Sequence, residues 1–160
     1  MLHRTLLTVA VAAALFAPVV AQEGGGPADY IEARKSSMQA IEGLLSQLEA
    51  DLASATITGS QMAVSTEAIA AALETFPLLF PEPVASEAAA APPSSADPKI
   101  WEEIVAFSSL SRTAAEVARE AAKARPEVSL PKVRETCATC HEGYVFYDPF
   151  ASMPIGPAGQ

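Results

Sequence analysis

Cysteine, histidine, tryptophan and positive charge are all scarce in this 160-residue chain, which has two Cys, two His, one Trp and 10 Lys plus Arg against 19 Asp plus Glu. A structural zinc site wants four ligands, and the lack of any cysteine beyond these two argues against one. A thioredoxin-type dithiol needs a βαβ frame, and no convincing strand pattern flanks either cysteine. The acidic balance argues against nucleic acid or anionic lipid as a partner. Beyond residue 21 no apolar run reaches the roughly 20 residues of a membrane span. There is no hairpin signal, and no internal repeat beyond a helical pattern.

What the chain does have is Cys137-Ala138-Thr139-Cys140-His141. C-x-x-C-H is the attachment signature of c-type haem, in which two thiols form thioethers to the vinyl groups and the next histidine takes the proximal iron position. On a helix these three side chains stand at i, i+3 and i+4 and project from one face, so they can clasp one flat ring. The competing reading of the pair is a disulfide.

In chain order, residues 1–21 read as a secretory signal, with His3 and Arg4 before an apolar run from Leu6 to Phe16 and Val19-Val20-Ala21 ahead of Gln22. Export to the periplasm as a soluble protein follows, and that compartment suits covalent haem attachment. Cleavage would remove Arg4, leaving nine basic against 19 acidic residues and a formal charge of −10. A basic redox partner would be steered toward such a surface. The remaining residues 22–160 suit one domain with one core.

Hydrophobic spacing predicts four helices, at about 27–54, 59–76, 98–124 and 130–147, with a tail over 148–160. In the first, Ile31, Arg34, Met38, Ile41, Leu45, Leu48 and Leu52 recur at steps of three and four, a bundle seam on which Arg34 is the one charge. A buried arginine needs an anion, and a haem propionate would serve. Met62, Ile69, Leu73 and Phe76 share a face of the second helix, which Thr58 or Ser60 caps. Phe76-Pro77 and Phe80-Pro81 then make an apolar plug for the bundle end. Residues 81–96 read as a low-complexity crossover loop. Asp97-Pro98 opens the third helix, whose inward stripe is Ile100, Ile104, Phe107, Ala114, Val117, Ala118 and Ala121. Trp101 reads first as a core or end-plug residue, and in a small bundle filled by a haem it could touch the cofactor as well. Arg125-Pro126 breaks that helix, Ser129-Leu130-Pro131 starts the fourth, and Asp148-Pro149 stops it. The expected fold is all-α, an antiparallel four-helix bundle around one haem c.

At this point the chain resembles the cytochrome c' family, the class II c-type cytochromes. The matching pieces are Arg34-x-x-x-Met38, Phe76-Pro77 with Phe80-Pro81, Pro98-Lys99-Ile100-Trp101, and Cys137-Ala-Thr-Cys140-His141-x-x-Tyr144. The resemblance implies an exported four-helix bundle with the haem motif near the C-terminus, Met38 facing the distal side of the ring, and dimerisation through the first two helices. Two departures stand out. Members usually carry arginine or lysine four residues after the haem histidine, where this chain has Val145, and most stop soon after that point, where this chain continues to Gln160.

The sixth iron position separates two functions. A thioether there gives an electron carrier with His/Met ligation. An open apolar face gives five-coordinate iron that binds nitric oxide or carbon monoxide. His141 is the only histidine after residue 21, so bis-histidine ligation within one chain is excluded and no distal histidine is present for peroxidase work. Met38, Met62 and Met153 are the available thioethers. The favoured reading is a mono-haem electron carrier, not an enzyme, with cofactor-binding Cys137, Cys140, His141, Arg34 and Met38, iron ligands His141 and Met38, and redox proteins or a second copy as partners.

Overall fold

The computed structural model describes residues 26–82 and 94–145. The expected signal segment, the tail after Asp148, the Asp148-Pro149 stop and residues 83–93 of the crossover lie outside these. The described residues form helices α1 (Pro27–Ala53), α2 (Gly59–Thr75), α3 (Lys99–Glu102), α4 (Ile104–Ala121) and α5 (Pro126–Tyr144), with a 3-10 turn at Phe76–Leu79. The long helices α1, α2, α4 and α5 make the four-helix bundle, and α3 is a one-turn lead-in to α4.

Each start has a local cause. Pro27 sits in the first turn of α1, where its missing N–H is not needed, and Asp29 accepts from the Gly26 N–H at 2.9 Å. Thr58 and Gln61 close a reciprocal capping box on α2, with backbone-to-side-chain distances of 3.2 and 2.9 Å. Asp97 Oδ1 accepts from the Lys99 N–H at 2.8 Å, the cap its position predicts.

Several boundaries differ from the sequence expectation. The fourth long helix begins at Pro126, not near residue 130, and Pro131 lies inside it. Proline at the first helical position is favourable, and the carbonyl that Pro131 leaves without a donor is that of exposed Glu127, within reach of water. That helix ends at Tyr144 because Val145 turns to extended backbone. The third helix is also broken, at Glu103, whose φ of −117° and ψ of 30° leave helical geometry.

The core divides into two clusters. One is aliphatic, built from Ile41, Leu45, Leu48, Met62, Ile69, Leu73, Leu130 and Val133 with the buried alanines of α2 and α4. Ala114, Ala115, Ala118 and Ala121 let α4 approach its neighbours closely, as the alanine-rich stripe predicts. Across this interface Ser111 Oγ donates to the Leu73 carbonyl at 2.6 Å, which satisfies a buried hydroxyl and a helix-end acceptor together. The stretch Gly59–Leu79 is long and apolar enough to cross a membrane by length and composition. In the bundle Met62, Thr66, Ile69, Ala70 and Leu73 form its buried face.

The second cluster is aromatic and sits at the other end, formed by Phe76, Phe80, Phe107 and Tyr144 with Ile100. Phe107 is its hub. Its ring lies edge-on to Phe80 at 4.9 Å and to Tyr144 at 5.2 Å, the arrangement that aromatic quadrupoles favour.

Candidate functional site

α5 carries Cys137, Cys140 and His141 in its last two turns, and 3.6 residues per turn puts them on one face. Both thiols are free and half-buried. Cys137 packs on the aliphatic cluster and Cys140 on the aromatic one, so the motif lies across the boundary between the two. Burial pushes both thiols up, Cys140 to about 11 with help from Cys137. They are therefore protonated at neutral pH.

The end of this helix is fastened to the lead-in of α3. The Asp97 N–H donates to the Tyr144 carbonyl at 3.0 Å, and Ala96 pairs with Val145 in an isolated bridge. The Tyr144 hydroxyl donates to Glu103 at 3.1 Å, and Lys99 reaches the same carboxylate at 3.5 Å. Burial, then the bond to Glu103, raises the Tyr144 phenol above its usual value. These contacts hold Glu103 at the α3–α4 break, which no local glycine or proline marks.

On the facing wall, α1 contributes Arg34 and Met38 one turn apart. Among the partly buried apolar side chains of the described residues, Met38 alone packs against both clusters, the aliphatic one that Cys137 joins and the aromatic one that Cys140 joins. Arg34 lies over the aromatic end, with its guanidinium carbon 4.6 Å from the Phe80 ring centroid and 6.0 Å from that of Trp101. Its Nη1 is buried without a hydrogen-bond partner among the described residues, and burial lowers its pKa. Trp101 packs edge-on to Phe80 at 5.9 Å and donates its indole N–H to the Pro81 carbonyl at 2.8 Å, closing the bundle end. Its expected place as an end plug is thus what the structure shows.

Of the five sequence-derived site residues, Met38, Cys137 and Cys140 pack where the two clusters adjoin, Arg34 lies over the aromatic one, and His141 follows Cys140 on α5. Met62, by contrast, is buried in the aliphatic core, and Met153 lies outside the described residues. The donor set fits one haem c. Two thiols and an imidazole share a face, an apolar and aromatic wall can shelter a flat ring, and an orphaned guanidinium N–H on that wall calls for an anion.

Sequence reasoning missed a polar feature beside this site. Arg134, one turn before Cys137, donates Nε and Nη2 to the two oxygens of Glu49 at 3.1 and 2.7 Å and Nη1 to Glu42. Glu42 and Glu49 are seven residues apart on one stripe of α1, a spacing visible in the sequence. Their partner stands 85 and 92 residues away and is not.

Comparison with known proteins bears on the same residues. The family model described as Cytochrome C' matches residues 29–144. The curated cytochrome c' of Rhodospirillum rubrum is 31% identical over 148 residues, spanning 88% of this chain and 97% of that protein. A solved triple mutant of Rhodopseudomonas palustris cytochrome c' aligns with a TM-score of 0.62 at 26% identity, covering 74% of this chain and 98% of that one. The crystal structure of cytochrome c' from Thermochromatium tepidum has a TM-score of 0.61 over 77% of this chain and 99% of its own; at 18% identity it speaks to the fold alone.

Proposed function

The chain belongs to the cytochrome c' family, and from that premise we propose that it is an exported, periplasmic electron carrier whose iron is held by His141 and faced on the distal side by Met38. The cofactor is one covalent haem c per chain. Cys137 and Cys140 would hold the ring through thioethers, His141 would take the proximal position and Arg34 would pair with a propionate. When bound, the group supplies a one-electron couple, and the protein tunes it through ligand identity and burial.

The observation that carries this reading is the packing of Met38 against both clusters. An unbranched, polarisable thioether that touches the cluster joined by Cys137 and the one joined by Cys140 supports a distal role for it. As a ligand, Met38 would close the iron and favour electron transfer. Held by the same packing but off the iron, it would leave five coordinates and a face open to nitric oxide or carbon monoxide. Val145 favours the carrier, because the proximal cation on which gas chemistry in relatives draws is missing.

Absorption spectra of the ferric and ferrous protein decide between the two. A carrier gives low-spin ferric iron with a weak sulfur-to-iron charge-transfer band, and Met38→Ala turns it high spin. A wild type already high spin and quick to bind nitric oxide transfers the assignment to gas binding. A homodimer through α1 and α2 is part of the same proposal. Ala40, Gly43, Ala50, Val64, Ala68 and Ala71 make their outer faces small and exposed, and sedimentation against concentration tests it.

A further inference from the structure

α5 rests mainly on α4 and meets α1 along a thinner seam. Across that seam lie the two walls of the proposed site, with Cys137, Cys140 and His141 on α5 and Met38 on α1. Arg134 spans it. Glu42 follows Met38 by four residues and Arg134 precedes Cys137 by three, so both ends of the ion cluster stand one helical turn from a residue of the site.

The geometry constrains more than distance. Three donors of one planar guanidinium are divided between carboxylates two turns apart on α1. Sliding α5 past α1 by one residue, about 1.5 Å, would break at least one of the three bonds. The Ser46 hydroxyl donates to the remaining Glu42 oxygen at 2.8 Å, so that carboxylate is fixed from its own helix as well. A lysine at position 134 could reach one carboxylate but not hold both in a fork.

We propose that the Arg134–Glu42–Glu49 cluster positions the distal face of the haem: it sets how closely the Met38 segment of α1 approaches the attachment face of α5, and so how far the sixth iron position is closed. This rests on the assignment of Cys137, Cys140, His141 and Met38 given above. Arg134 acts through Met38 and touches no ligand itself. The molecule contains its own control. Arg119 joins α4 to α2 by the same device, at 3.3 Å to Glu67 and 2.7 Å to Glu74, between the two helices that carry no proposed ligand.

The test compares Arg134→Gln, Arg134→Lys, Glu42→Gln, Arg119→Gln and Met38→Ala as holoproteins. Carbon monoxide association with the ferrous form is followed by flash photolysis, alongside the ferric spectrum and the melting temperature. Arg134→Gln is expected to speed association about three- to tenfold, the size of effect seen when a residue outside the ligand contacts alters coupling. Glu42→Gln and Arg134→Lys fall between it and wild type, and they carry the test should Arg134→Gln fail to load haem. Arg119→Gln lowers the melting temperature and leaves the rate within about twofold of wild type. An unchanged rate and spectrum in Arg134→Gln, or an equal change in Arg119→Gln, overturns the proposal. Met38→Ala separates the premise from the inference: if Met38→Ala itself leaves the rate unaltered, the distal assignment has failed, whereas a fast Met38→Ala beside a normal Arg134→Gln sinks the positioning role alone.

Discussion

Arg34 stacks on Phe80 with its guanidinium carbon 4.6 Å from the ring centroid, while the Nη1 of the same group is buried without an acceptor. The ring face supplies part of what a cation needs, and the unpaired N–H shows that it does not supply all. A haem propionate would complete the set.

Replacement of this arginine is therefore predicted to act on the loaded protein. Arg34→Gln should destabilise the holoprotein by about 1–3 kcal/mol, the usual range for a charge-assisted hydrogen bond, and shift its midpoint potential. Thermal unfolding and redox titration measure the two. If neither changes, Arg34 is only stacked at the bundle mouth.

Haem attachment on Cys137 and Cys140 predicts that intact mass exceeds the apoprotein mass by one haem after acid-acetone extraction. Without haem the thiols should be sluggish. With Cys140 raised to about 11, only about one thiol in a thousand is ionised at pH 8. Alkylation should therefore climb steadily through pH 9 and 10, where an ordinary cysteine would already be levelling off.

Acid should undo the α1–α5 cluster from the Glu42 side. Burial is the largest single influence on Glu42 and raises it, but the bonds from Arg134 and Ser46 and the charge of Arg134 outweigh it and leave the carboxyl below its usual value. A group lowered by folding stabilises in full above its unfolded value, about 4.3 for a glutamate, and loses that contribution as pH falls through the folded value. Carbon monoxide association should be flat from pH 8 to about 5 and rise below about pH 4. Glu42→Gln should flatten that rise.

Phe107 is the hub of the aromatic cluster and 2% exposed. Phe107→Ala should cost about 3–5 kcal/mol in chemical denaturation, because the void left between Phe80 and Tyr144 cannot close without moving the turn that carries one and the helix end that carries the other. Tyr144→Phe removes only the hydroxyl bond to Glu103 and should cost about 1 kcal/mol.

The fold and most of the site were readable in the sequence wherever one helix carries the information by itself. The seam from Ile31 to Leu52 and the face of Cys137, Cys140 and His141 are both consequences of 3.6 residues per turn. The start of α5 was not readable. From sequence Pro126 reads as the end of the third helix and Pro131 as the opening of the fourth, whereas Pro126 opens α5 and Pro131 sits on its exposed side. The Glu103 break was hidden for a different reason, since the contacts that hold it come from Tyr144, 41 residues on. The Arg134 cluster was hidden in the same way, because no periodicity within one helix announces which charges face another.

Trp101, the chain's one tryptophan, has its indole tied to Pro81 and lies edge-on to Phe80. In optical terms it is a single indole emitter lodged at the aromatic end of the bundle. Energy transfer to a nearby haem would darken it, so the bright fraction of a purified sample counts empty molecules directly. Its emission would also shift when that end loosens, ahead of any loss of helix, giving the molecule a gauge of its own mouth that needs no label.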